Sequence, residues 1–148
     1  MGADLFITRL FEQQRQQWEP EFEKAASARD EAVDEASRKV AQVRVEHAYE
    51  QMYSRGYFRD PYNDWDLLWN FGLSWWQDVI PMLDKEGWLS VERVQAVLAM
   101  LKQRENIFEL NLAQLPGEKQ RYFRRRNADL HSFLNQAIEL NAPIKASL

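Results

Sequence analysis

Eight positions in the C-terminal half of the chain, Val91, Val94, Leu98, Leu101, Glu105, Phe108, Leu112 and Leu115, alternate spacings of three and four. All but Glu105 are apolar. Only an α-helix returns such a pattern to one face, because each residue turns the chain by about 100°. The spacing predicts one helix from Val91 to about Gln114, stopped by Pro116-Gly117, with a break near Glu105-Asn106 as the alternative. A chain carrying this seam must bury it, against its own helices or against a second copy of itself.

Other stretches carry the same period. Asp4 followed by Ile7, Leu10, Phe11, Gln14 and Trp18 predicts a short helix over about 4–17, although β-branched Ile7 and Thr8 also suit a strand. Pro20 fits the first turn of a second helix running from about 19 to 54. Val33, Ala36, Val40, Val43 and His47 form its narrow apolar stripe, Asp34/Arg38 and Glu35/Lys39 its supporting ion pairs, and Gly56 its closing residue. Asp64 can cap a third helix over about 65–80, apolar on most of its circumference and therefore expected at the centre. A last helix over about 118–141 ends before Pro143, leaving residues 142–148 as a frayed tail. The expectation is an all-α, single-domain bundle of four to five helices spanning residues 1–148.

Composition narrows the function. With 148 residues, 45% hydrophobic and 28% charged, the chain resembles an ordinary globular domain. It has no cysteine, which excludes disulfide frameworks, thiolate zinc sites and cysteine nucleophiles. The N-terminal residues do not form a secretory signal and no apolar run approaches bilayer length, so a cytoplasmic protein without membrane contact is expected. Net charge is −4, unevenly spread: −3 over residues 1–60, −5 over 61–92 and +4 over 93–148. That balance disfavours nucleic acid as a partner, since phosphate neutralisation supplies most of such affinity. The run Arg121 to Arg126 does not reverse this, because a helix scatters its four arginines around the axis.

No catalytic or metal motif is complete, so neither a cofactor nor a metal is expected and the reading leans away from an enzyme. The turn Asp84-Lys85-Glu86-Gly87 resembles the middle of a calcium loop, but Arg93 stands where a bidentate Glu is required. Asp30, Glu31, Asp34 and Glu35 lack the second Glu-x-x-Asp helix that would complete a magnesium site. His47 sits on an apolar stripe, and neither histidine follows a Glu by three residues.

What stands out is the block from Gly56 to Trp76, with eight aromatic rings interleaved with carboxylates. Rigid rings beside orienting polar groups are the composition of a recognition surface. Leu68, Trp69 and Trp76 are expected in the core of the 65–80 helix. Arg55, Tyr57, Phe58, Arg59, Asp60, Tyr62, Asp64 and Trp65, at the loop and helix start, are the expected binding residues. The function this predicts is a non-enzymatic interaction module, an adaptor, inhibitor or immunity-type partner of another protein. The alternative is a small-molecule binder or enzyme with a pocket walled by Tyr57, Tyr62, Trp65 and Trp69. A convex patch favours the first and a concave pocket of ~300–1,000 Å³ the second. The Val91–Leu115 seam offers a place for a homodimer.

Overall fold

The computed structural model describes residues 1–148 and corrects the all-α expectation, because a four-stranded sheet accompanies the helices. The chain divides into two compact units, Met1–Ile7 with Phe58–Leu148 and Thr8–Tyr57, where the sequence reads as one helical domain.

The first correction is at the N-terminus. Residues 2–6 form strand β1 (Gly2–Phe6), with Ala3 and Leu5 turned inward and Asp4 and Phe6 more exposed. The period of two wins there over the helical spacing that links Ile7 to Trp18. Strand β2 (Tyr57–Pro61) pairs with β1 on one side. The approach is close at Gly2, where a Cβ would lie 2.7 Å from the Asp60 carbonyl oxygen. Strand β4 (Ile144–Ser147) pairs antiparallel with β1 on its other side, matching Leu5 to Ala146, and with β3 (Trp88–Leu89), matching Leu89 to Ile144. The sheet order is β2-β1-β4-β3, so the stretch expected to fray is an inner strand.

The long helix expected over 19–54 is also corrected. Helix α1 (Thr8–Glu31) runs straight through Pro20, and the chain breaks at Ala32–Asp34 before helix α2 (Glu35–Met52). Asp34 breaks it by capping: its Oδ1 accepts from the Ser37 amide at 2.6 Å, which holds its carboxyl below the usual value. Arg38, expected to pair with Asp34, donates instead to the Ala32 carbonyl, while Glu35 and Lys39 do pair, at 3.5 Å. The two helices form an antiparallel hairpin. Its buried residues include Leu10, Phe11 and Ala25 on α1 and Ala41, Val45, Ala48 and Met52 on α2. The stripe predicted to be buried, Val33, Ala36, Val40, Val43 and His47, lies on the exposed face.

The regular C-terminal seam is interrupted at Arg104, giving α3 (Val91–Gln103) and α4 (Glu105–Leu112). Ser90 caps α3 by accepting from the Arg93 amide. Val94, Leu98, Leu101, Phe108 and Leu112 are all buried in the core of their unit, which takes most of this seam out of reach of a second copy. Helix α5 (Gly117–Glu139) covers most of the stretch expected over 118–141. Asn141, at a φ of 49°, turns the chain out of it towards β4. No helix is long and apolar enough to cross a membrane.

Candidate functional site

No helix spans 65–80. That stretch is a chain of short turns: a 3-10 turn over Leu68–Phe71, a π-helical turn over Trp75–Val79 and a 3-10 turn over Ile80–Met82. Gly72, at a φ of 68°, ends the first, a backbone conformation that side chains other than glycine resist. Ser74 opens the second, its Oγ accepting from the Trp76 amide while its own amide donates to Asp78.

Short turns leave many amide groups without helical partners, and Asp60 satisfies a cluster of them. It extends from β2 and is 2% exposed. Its Oδ1 accepts from the Leu67 amide at 2.8 Å, and its Oδ2 from the Leu68 amide at 3.3 Å and the Trp75 indole N–H at 2.7 Å. From the other side Asn111 on α4 donates to the Asn70 carbonyl at 2.9 Å. Phe71 stacks on Phe108 at 4.4 Å between centroids. The turns are therefore clamped between a sheet carboxylate and α4.

This clamp decides which rings are buried. Trp75 points inward at Asp60, whereas Trp69 is 74% and Trp76 55% exposed. The expectation that Trp69 and Trp76 fill the core is corrected: the turns rotate them outward, while Leu68 is buried as expected. Between them lies a groove of about 560 Å³ lined by residues that include Tyr62, Asp64, Asp66, Trp69, Trp76 and Lys119. Tyr62 stands 6.2 Å from Trp76 between centroids, and its hydroxyl is buried without a hydrogen-bond partner. Burial, with Asp66 and Asp60 nearby, raises its phenol above the ordinary value.

The eight residues expected to bind are placed differently from one another. Tyr62 and Asp64 line the groove. Asp60 lies beneath the turns as their clamp. Phe58 is buried against Phe133 and under the Arg126 guanidinium, 4.4 Å from its ring centre. Arg59 reaches both carboxylate oxygens of Asp4, at 2.8 and 2.7 Å. Trp65 meets Tyr122 edge-on at 4.7 Å and carries the Lys119 ammonium over its face, outside the groove lining. Arg55 and Tyr57 belong to the hairpin unit, where Arg55 is exposed and Tyr57 contacts Tyr53 and Phe11. Sequence reasoning missed Asp66, Trp76 and Lys119, and offers Trp69 a place in a pocket wall only under the small-molecule alternative. The available signal was Gly72, seven residues past the start of the supposed helix at Trp65, where a left-handed residue closes a turn.

The groove is acidic and aromatic, a combination that suits a cation, since indole faces and carboxylates both attract positive charge. No three His, Cys, Asp or Glu side chains cluster as a metal site would require. No protein-family model, no curated protein and no solved structure matches the chain.

Asp60 also sets a pH dependence. Burial pushes its carboxyl up to about 7 against the opposing pull of the Leu67 and Trp75 N–H donors, and the neighbouring Asp66 carboxyl pushes the same way. The folded state therefore holds this proton more tightly than the unfolded chain, whose value lies near 3.8. The associated stability is complete below that value and is lost as pH rises through about 7. Urea midpoints followed by tryptophan emission are expected to fall from pH 5 to pH 8, and the slope to flatten in Asp60→Asn. An equally steep fall in that variant would assign the effect to other groups.

Proposed function

We propose that the protein is a binding module whose groove takes a lysine or arginine side chain presented by another polypeptide. The observation that carries this reading is the pair of exposed indoles, Trp69 and Trp76, flanking a concavity that also holds Asp64 and Asp66. Large exposed rings in a groove are costly to leave in water, and a desolvated cation over an indole gains up to about 2 kcal/mol. The same chemistry already recurs within this unit, with Lys119 over Trp65 and Arg126 over Phe58. The unpartnered Tyr62 hydroxyl adds a polar group that can orient the ligand.

A second reading, a free organic amine, is supported by the concavity itself, because about 560 Å³ falls in the range of small-molecule pockets. Titration of tryptophan emission separates the two. An arginine- and lysine-containing peptide, tetramethylammonium and an acidic peptide of equal length are added in turn. Saturable binding of the basic peptide is expected, weakened about tenfold or more by Trp76→Ala and about fivefold by Asp66→Asn. Equal or tighter binding of tetramethylammonium favours the amine reading. Binding of the acidic peptide, or indifference to both substitutions, overturns the site.

A further inference from the structure

The groove between Trp69 and Trp76 offers a ligand far more ring surface than free hydrogen-bond acceptors. Tyr62 and Trp76, 6.2 Å apart between centroids with their planes inclined by 50°, make one corner of it, and the exposed Trp69 stands on the same lining. The neutral amide and hydroxyl side chains of the lining are already engaged in holding the turns. Asn63 accepts from the Trp65 amide at 2.8 Å, Asn70 donates to the Asp66 carbonyl at 3.3 Å, and Ser74 accepts from the Trp76 amide at 3.2 Å. What is left for a ligand is the half-buried carboxylate of Asp66, the exposed one of Asp64 and the unpartnered Tyr62 hydroxyl. Lys119, the one cation of the lining, lies over the face of Trp65 at 4.9 Å, outside the groove.

We propose that the side chain this groove takes is an Nε-methylated lysine, in its dimethylammonium form, presented by another polypeptide; the assignment rests on the groove reading and names its substrate. An unmodified ammonium brings three N–H donors and a tightly held hydration shell, and a guanidinium brings five donors. An N–H turned towards an indole face gives up its water for a weaker acceptor than a carboxylate. Dimethylation leaves a single N–H for Asp66 and replaces the others with methyl groups that carry the positive charge onto the rings. Each methyl group also takes apolar area out of water, a gain that the hydrated ammonium lacks. Trimethylation supplies the rings equally well but leaves no N–H for the carboxylate. Asp66 therefore sets the preference between the two, and its Oδ1, accepting from the Trp69 amide at 3.3 Å, keeps the carboxylate beside that indole.

The test uses the full chain and one short fluorescein-labelled peptide of Gly, Ala and Ser around a central lysine that is unmodified, monomethylated, dimethylated or trimethylated. Anisotropy titrations are expected to rank the dimethyl form first, about tenfold tighter than the unmodified form and about threefold tighter than the trimethyl form. Trp69→Ala and Trp76→Ala, both at exposed positions, weaken binding and bring the four peptides to within about twofold of one another. Asp66→Asn, which keeps an oxygen for the Trp69 amide, moves the trimethyl form to first rank. Free dimethylammonium at the concentration of the peptide leaves the complex intact; displacement by it would put a small amine in place of the polypeptide and overturn the assignment. Unmodified lysine binding as tightly as any methylated form, or the trimethyl form ranking first on the unaltered protein, overturns the inference while the groove reading stands. Binding of none of the four peptides overturns both.

Discussion

Asp60→Ala is expected to lower the unfolding free energy of the sheet-containing unit by about 3–5 kcal/mol, the largest effect of any single substitution around the groove. The carboxyl accepts three N–H groups, and alanine strands all three in a space that is 2% accessible in the native residue. An unpaired buried donor costs about 1–3 kcal/mol. The sum is moderated by relief of the energy spent on burying an acid there. Asp60→Asn separates these contributions: it keeps one oxygen for the Leu67 amide while the Leu68 amide and the Trp75 indole lose their acceptor, and about 2–3 kcal/mol is expected. All tryptophans except Trp18 lie in this unit, so guanidinium titration followed by tryptophan emission reads it directly. The groove should widen in parallel, since Leu67, Leu68 and Trp75 hold the turns that carry Trp69 and Trp76. A loss below about 1 kcal/mol for alanine would mean that the clamp is not what shapes this segment.

The difference between what the sequence announces and what it conceals follows from the range of the interactions involved. Helical spacing is local, and α5 and most of α3 and α4 are visible in the order of Leu, Val and Phe. The interruption at Arg104 lies one residue from the alternative break. The sheet is concealed because β1, β2, β3 and β4 are two to five residues each, too short for a period of two to stand against longer helical patterns. What holds them is pairing between the two ends of the chain, Leu5 with Ala146, which no local pattern encodes. Asp60 illustrates the same limit. A carboxylate before proline reads as a turn residue, and its donors arrive seven, eight and fifteen positions later. The composition of the groove was legible as an aromatic and acidic cluster, but its outward rings were not. Which indole faces water depends on turns that exist only once Asp60 has collected its amides.

That dependence on distant pairing sets the second large effect. Removing residues 142–148 is expected to abolish cooperative folding of the sheet-containing unit, whereas a frayed tail would be dispensable. The lost strand lies between β1 and β3, so its removal opens both ladders: Asp4, Leu5 and Phe6 lose partners on one side, Trp88 and Leu89 on the other. Ile144 is fully buried and Ala146 nearly so. Burial of a side chain such as Ile144 contributes about 1.5–3 kcal/mol, and each ladder hydrogen bond about 1 kcal/mol. Together these approach the whole stability of a small domain, about 5–15 kcal/mol. The exposed edge of β1, with Leu5 no longer covered, also invites pairing between chains, so the truncated protein should aggregate on heating. Graded substitutions give the same answer without a deletion. Ile144→Ala should cost about 2–5 kcal/mol, and Ala146→Asp, which drives a charge inward beside Leu5, at least as much. Lys145→Ala should cost less than about 1 kcal/mol, because its ammonium works at the surface over the Trp88 ring and against the Glu86 carbonyl. Near-ultraviolet circular dichroism reads the series, and equal signals from all four proteins and the wild type would remove β4 from the core.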